Sequence, residues 1–179
     1  MTAGATKVQA PTAEGAVVFT DLTGFSEFTA IRGDEAALEM LTLQERLLRE
    51  AMGTRGRIVK NLGDGFLLWF PRVTDAVDAA LNLQEKIDNL PAEDDDMPMW
   101  VRIGINYGRP ILHGDDLIGH DVNVAARIVD FAQSGEVLVS QACTENLAAE
   151  PTGVYFDEVG PVVMKGIPDA VTLYRAVRL

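Results

Sequence analysis

Arg57-Ile58-Val59-Lys60-Asn61-Leu62-Gly63-Asp64-Gly65-Phe66-Leu67-Leu68-Trp69-Phe70 reads as two apolar runs, 57–60 and 66–70, folded back on one another by Gly63-Asp64-Gly65. Turn residues between β-branched and aromatic runs are the pattern of a β-hairpin. Upstream, Ala16-Val17-Val18-Phe19-Thr20 reads as a central strand. Residues 27–52 carry apolar side chains at helical spacing (Phe28, Ile31, Ala37, Leu38, Leu41, Leu48) with a break at Gly33-Asp34, so one strand feeds a helical pair. Downstream, 73–90 is a second amphipathic helix, closed by Pro91 and the solvated acidic run Glu93-Asp94-Asp95-Asp96, and 99–106 is a fourth strand. The order βαββαβ is that of an α+β, ferredoxin-like core sheet with helices on one face. C-terminal additions follow: a strand continuation and loop over 108–119, a helix over 122–131 capped by Asp121, strands over 136–140 and 171–177, and a short helix near 142–149. Residues 1–14 read as a flexible tail and 15–179 as one domain.

Composition bounds what such a domain does. With 179 residues and 47% hydrophobic content the chain has material for one substantial core. A formal net charge of −12 argues against a general binder of nucleic acid or anionic membranes, although a local basic pocket is compatible with it. The lone Cys143 allows no internal disulfide, and no apolar stretch approaches the roughly 20 residues of a membrane span. Residues 1–15 lack the basic and apolar blocks of a signal peptide. The expectation is a cytoplasmic protein with neither nucleic acid nor membrane as partner.

Two carboxylates stand out. Asp21 ends the apolar run of the central strand, and Asp64 sits at the hairpin tip. An isolated charge beside packed strands costs roughly several kcal/mol, so such groups are normally paired or bound to a cation. Gly24 and Phe25 follow Asp21 where a bare backbone leads into a helix, and free N–H groups there suit an anion. Together these features point to a metal-bound phosphate ester. Asn123 and Arg127, four apart on the expected helix, share one face and can serve one ligand. His113 and His120 have no second His or Cys at zinc spacing.

Phe19-Thr20-Asp21-Leu22-Thr23-Gly24-Phe25-Ser26, Lys60-Asn61-Leu62-Gly63-Asp64-Gly65, Arg102-Ile103-Gly104-Ile105 and Gly119-His120-Asp121-Val122-Asn123-Val124-Ala125-Ala126-Arg127 resemble, in this order, the catalytic-domain motifs of class III nucleotidyl cyclases. The resemblance spans about 17–177 and is close to the stand-alone, mycobacterial-type adenylate cyclases. It implies conversion of ATP to 3′,5′-cyclic AMP and pyrophosphate, by in-line attack of the ribose 3′-hydroxyl on the α-phosphate.

By the same resemblance, Asp21, Asp64 and the Leu22 carbonyl hold two divalent cations per active site. Hard oxygen ligands select Mg²⁺ or Mn²⁺. Lys60 and Asp116 read the base: adenine offers an acceptor at N1 and a donor at N6, which complement a lysine and a carboxylate. Asn123 orients the ribose, Arg127 stabilises charge on the α-phosphate in the transition state, and Arg102 and Lys165 hold the β- and γ-phosphates. The family also implies a head-to-tail homodimer with its active sites at the subunit interface. Three alternatives compete: a guanylate or mixed-specificity cyclase, a degenerate domain that only binds nucleotide and signals, and a ferredoxin-like RNA-binding module. The last lacks the paired aromatics and basic surface such modules use.

Overall fold

The structure, a computed structural model, describes residues 10–91 and 98–179. The expected acidic loop at 93–96 and most of the expected tail lie outside the described residues. The end of that tail is tied down: Thr12 bridges to Ile111, Ala13 N donates to Pro110 O (3.0 Å), and Glu14 accepts from the Tyr107 hydroxyl (2.6 Å).

The elements run β1 (Gly15–Leu22), α1 (Phe25–Met52), β2 (Arg57–Asn61), β3 (Gly65–Phe70), α2 (Val73–Asp88), β4 (Val101–Gly108), β5 (Ile111–His113), β6 (Asp116–Ile118), α3 (His120–Phe131), β7 (Val137–Ser140), α4 (Gln141–Glu145), β8 (Val154–Val162) and β9 (Val171–Arg178). The main sheet has the order β2-β3-β1-β4-β7-β9-β8. Its first four strands, all antiparallel, are the expected βαββαβ core with β1 at the centre. β7 adds in parallel to β4, and β9 and β8 close the far edge.

β1 reads as a continuous apolar run because both of its faces are covered. Ala16 and Val18 pack with α1 and α2 through Met40, Leu47, Leu48, Val77 and Leu83. Val17 faces the other way, into a cluster with Leu67, Leu117, Val122 and Ala125, so α3 and the β5–β6 hairpin cover the side opposite the two core helices. The buried residues of α1, Ala37, Met40, Gln44, Leu47, Leu48, Ala51 and Met52, follow the stripe expected of a helix lying on a sheet. The break expected at Gly33 is present: its φ of 87° and ψ of 173° are non-helical, in a region glycine enters without strain.

The structure departs from the sequence reading in several details: 111–118 form a separate two-stranded hairpin in place of a strand continuation and loop, and the short helix expected near 142–149 is confined to Gln141–Glu145. α3 begins at His120 with Gly119 as its N-cap, and Asp121 does not cap it. Its carboxylate instead accepts the Arg109 backbone N–H (2.7 Å), while Asn106, buried in β4, donates to the Asp121 carbonyl (3.0 Å). β8 was absent from the sequence reading. Asp157, Glu158, Gly160 and Pro161 disguise it, and a strand carrying a bulge at 158–160 tolerates them because it lies at the sheet edge.

Candidate active site

The site is built around the end of β1. Asp21 stands in register with Gly65 of β3 on one side and Arg102 of β4 on the other. Position 65 has no room for a side chain, because a Cβ there would collide with the Thr20 carbonyl and lie 2.9 Å from its carbon. Glycine therefore lets the hairpin turn close directly on β1. The turn is then fastened: Leu22 N donates to Asp64 O (2.9 Å), Leu62 N to Gly65 O (2.8 Å), and Gly63 N to the Asn61 Oδ1 (2.8 Å). Gln44, almost fully buried in α1, reaches the same Asp64 carbonyl with its Nε2 (3.5 Å).

This brings Asp64 to Asp21. Burial, and then the negative charge of Asp21, push the Asp64 carboxyl above its ordinary value, as expected of two carboxylates that share a site. Two partly buried, mutually repelling hard-oxygen donors fit a divalent cation, and among the described residues no group of three or more His, Cys, Asp or Glu is placed to hold a metal ion. Gly24 is left-handed (φ 73°) at the start of α1, and no side chain caps the amides that follow from Phe25 onward. The first turn of α1 thus opens beside Asp21 with its N–H groups uncapped by any side chain.

Arg102 donates from Nε to Asp21 Oδ2 (2.7 Å) and from Nη1 to the Asp130 carbonyl (3.4 Å). The Asp130 carboxylate in turn lies 3.8 Å from Arg102 and 3.5 Å from Arg127. Asn123, Arg127 and Asp130 all lie on the exposed face of α3. The helix itself is set against β4 at Gly104, where a Cβ would lie 2.9 Å from Val129 Cα and closer still to its amide nitrogen. Lys165 is exposed between Met164 and Ile167, which pack with Val124 and Ile128 of α3, so it is held beside that helix.

Lys60 and Asp116, 56 residues apart, are hydrogen-bonded to one another. The register of β2 against β3 explains how. Arg57 pairs with Trp69 and Ile58 with Leu68, but the pairing then slips so that Lys60 faces Leu67. The bulge puts Val59 and Lys60 on the same side, towards the cluster that includes Leu67 and Leu117, where regular alternation would have sent Lys60 to the opposite face. The two-residue turn Gly114-Asp115 of the β5–β6 hairpin delivers Asp116 to that side, and its other carboxylate oxygen accepts from Leu117 N (2.8 Å). The Lys60 bond, then the Leu117 amide, hold Asp116 below its ordinary value, so its carboxylate is ionised at neutral pH.

The structure thus brings together Asp21, Asp64 and Arg102, and separately Lys60 and Asp116. Among the described residues, no hydrogen bond or ion pair joins the second group to the first. Sequence reasoning missed Arg57, Gln44 and Asp130. Gln44 carried a signal as the polar member of an apolar stripe, and Asp130 as the residue one turn beyond Arg127; Arg57 carried none.

A family model described as the adenylate and guanylate cyclase catalytic domain matches residues 8–176. A pH-sensitive adenylate cyclase of Mycobacterium tuberculosis is 30% identical over 164 residues, covering 90% of this chain and 40% of that protein. The chain therefore spans less than half the length of this curated relative. Among solved structures, an adenylate cyclase of Trypanosoma brucei, in its monomeric state, superposes with a TM-score of 0.84 at 22% identity, covering 95% of this chain and 92% of that one. An adenylyl cyclase from P. aeruginosa gives 0.82 at 22% identity, covering 96% and 97%.

Proposed function

The chain belongs to the adenylate and guanylate cyclase catalytic-domain family, and on that premise we propose that it converts ATP to 3′,5′-cyclic AMP and pyrophosphate. The observation that carries the choice of ATP is the Lys60–Asp116 pair. A lysine N–H beside a carboxylate oxygen matches N1 and the N6 amino group of adenine, whereas guanine offers the reverse pattern on that edge.

Asp21, Asp64 and the Leu22 carbonyl would hold two divalent cations, Mg²⁺ or Mn²⁺, which when bound lower the pKa of the 3′-hydroxyl and offset charge on the phosphoryl oxygens. The chain's own residues do the rest. Arg102 and Lys165 neutralise the β- and γ-phosphates, and the amides at Gly24 and Phe25 add donors for the same anion. Asn123 fixes the ribose so that the 3′-oxygen lies in line with the α-phosphorus. Arg127 stabilises the charge that grows on the α-phosphate as pyrophosphate leaves.

Each site is assembled from two copies of the chain in a homodimer, one giving Asp21, Asp64 and Arg102 and the other Lys60, Asp116, Asn123 and Arg127. Among the described residues no hydrogen bond or ion pair joins Lys60 or Asp116 to Asp21, Asp64 or Arg102, which supports this, as do the exposed Ile111 and Ile118 on the hairpin and Phe131 at the end of α3; Arg127 meets Arg102 only through the shared Asp130 carboxylate. Nucleic acid and anionic membranes are poor partners for a chain of net charge −12, and no helix among the described residues is long and apolar enough to cross a membrane. We place its work in the cytoplasm. The test is product formation from Mn²⁺-ATP and Mn²⁺-GTP by the wild type and Asp64→Ala. Cyclic AMP from the wild type alone is expected; equal activity in the two proteins removes the metal site, and a preference for GTP removes the base assignment.

A further inference from the structure

We infer that Arg57 is a positioning residue for recognition of the base: it holds the β5–β6 hairpin at the place where Asp116 meets Lys60. The inference rests on the proposed function, since it concerns the pair that reads adenine.

Arg57 touches two parts of the molecule at once. Its Nη1 donates to the carbonyl of Asp115 (3.1 Å), 58 residues away, and its guanidinium carbon lies 5.9 Å from the centre of the Trp69 ring. Trp69 is its cross-strand partner, so ring and guanidinium share one face of the sheet. The ring is itself confined: its Nε1 is buried, and a Cβ on Gly15 would lie only 2.7 Å from that atom. Arg57 therefore grips the hairpin from a fixed support. The carbonyl it holds belongs to the peptide unit that leads directly into Asp116.

The need for such a grip follows from what the base must do. Lys60 and Asp116 are 47% and 29% exposed. An ion pair with that much solvent contributes little, too little to fix the hairpin turn by itself. When adenine enters, both groups turn their hydrogen bonds to its edge and lose their contact with each other. At that moment the Arg57–Asp115 bond is the polar link that remains between β2 and the hairpin turn, beside the packing of Val59 with Leu117. Without it the Asp115–Asp116 peptide is less firmly placed when the base binds, a cost that falls on affinity and base discrimination and spares the chemical step.

Arg57→Ala and Arg57→Lys, beside the wild type, test this with two readouts. In Arg57→Ala the KM for ATP is expected to rise about three- to ten-fold with kcat within about two-fold, and the ATP:GTP ratio of kcat/KM to fall by a similar factor. Arg57→Lys, which keeps a cation over Trp69 and a donor, recovers part of both. Amide exchange over 111–118 quickens in Arg57→Ala while that of β1 is unchanged. An unaltered ATP:GTP ratio with unaltered exchange overturns the inference, and so does a loss of kcat and Tm at constant KM, which marks a merely structural role. A wild type that forms no cyclic nucleotide defeats the proposed function instead. The exchange readout then still decides whether Arg57 holds the hairpin, and unchanged exchange there overturns that as well.

Discussion

Asp64 is placed at a cost. Its proton is held more tightly in the folded chain than in the unfolded one, because burial and Asp21 both disfavour the charged form. Across the interval between the two pKa values the folded state binds more protons, so stability falls as pH rises, and above it the ionised carboxylate is a standing penalty. Asp64→Asn should therefore raise the Tm of the metal-free protein by about 1–3 °C at neutral pH, a gain that shrinks as pH falls through the folded value, while abolishing turnover. Calorimetry in a chelator decides it; equal melting of the two proteins at neutral pH would show that the carboxylate is not under strain. Asp21 and Asp64 were legible in the sequence because charge at the end of an apolar run is costly enough to need a reason. Arg57 was not, because it acts on a backbone carbonyl 58 residues away and nothing local marks it, and Gln44 showed only as a polar residue in an apolar stripe, with its target carbonyl 20 residues off.

At the scale of elements, the position of α3 is set by an absence. Gly104 lets the helix backbone at Val129 come down onto β4, and a methyl group there meets main-chain atoms that have no rotamer to give way. Gly104→Ala is expected to cost about 1–3 kcal/mol, seen as a Tm lowered by roughly 3–10 °C, and to reduce kcat more than a distant destabilising change of equal size, because Asn123 and Arg127 ride on the displaced helix. An unchanged Tm would mean that helix and strand can part freely. The core order βαββαβ and the Gly33 break could be read from periodicity and turn residues. β8 could not, because a bulged edge strand owes its pairing to a neighbour and not to its own pattern. The bulge in β2 was equally silent in Arg57-Ile58-Val59-Lys60, where four residues of plain strand composition hide the slip that re-aims Lys60.

At the scale of the whole molecule, the proposed split site makes a numerical claim. Asp64→Ala removes the metal side and Arg127→Ala the base side, so each variant alone should be inactive. Mixed in equal amounts and allowed to exchange, half of the dimers pair one of each and contain one intact site of two, restoring roughly a quarter of wild-type activity. Activity that stays at zero in a mixture shown to exchange would place each site within a single chain. A dimer of this kind can be held only by surface contacts. Cys143 is fully buried, its thiol pushed up to about 12 by the loss of solvent, and the sequence has no other cysteine. The folded protein thus offers oxidants and alkylating reagents no thiolate. It should keep its activity in iodoacetamide, take up the label only when denatured, and run as a single-chain band on a non-reducing gel however it is stored.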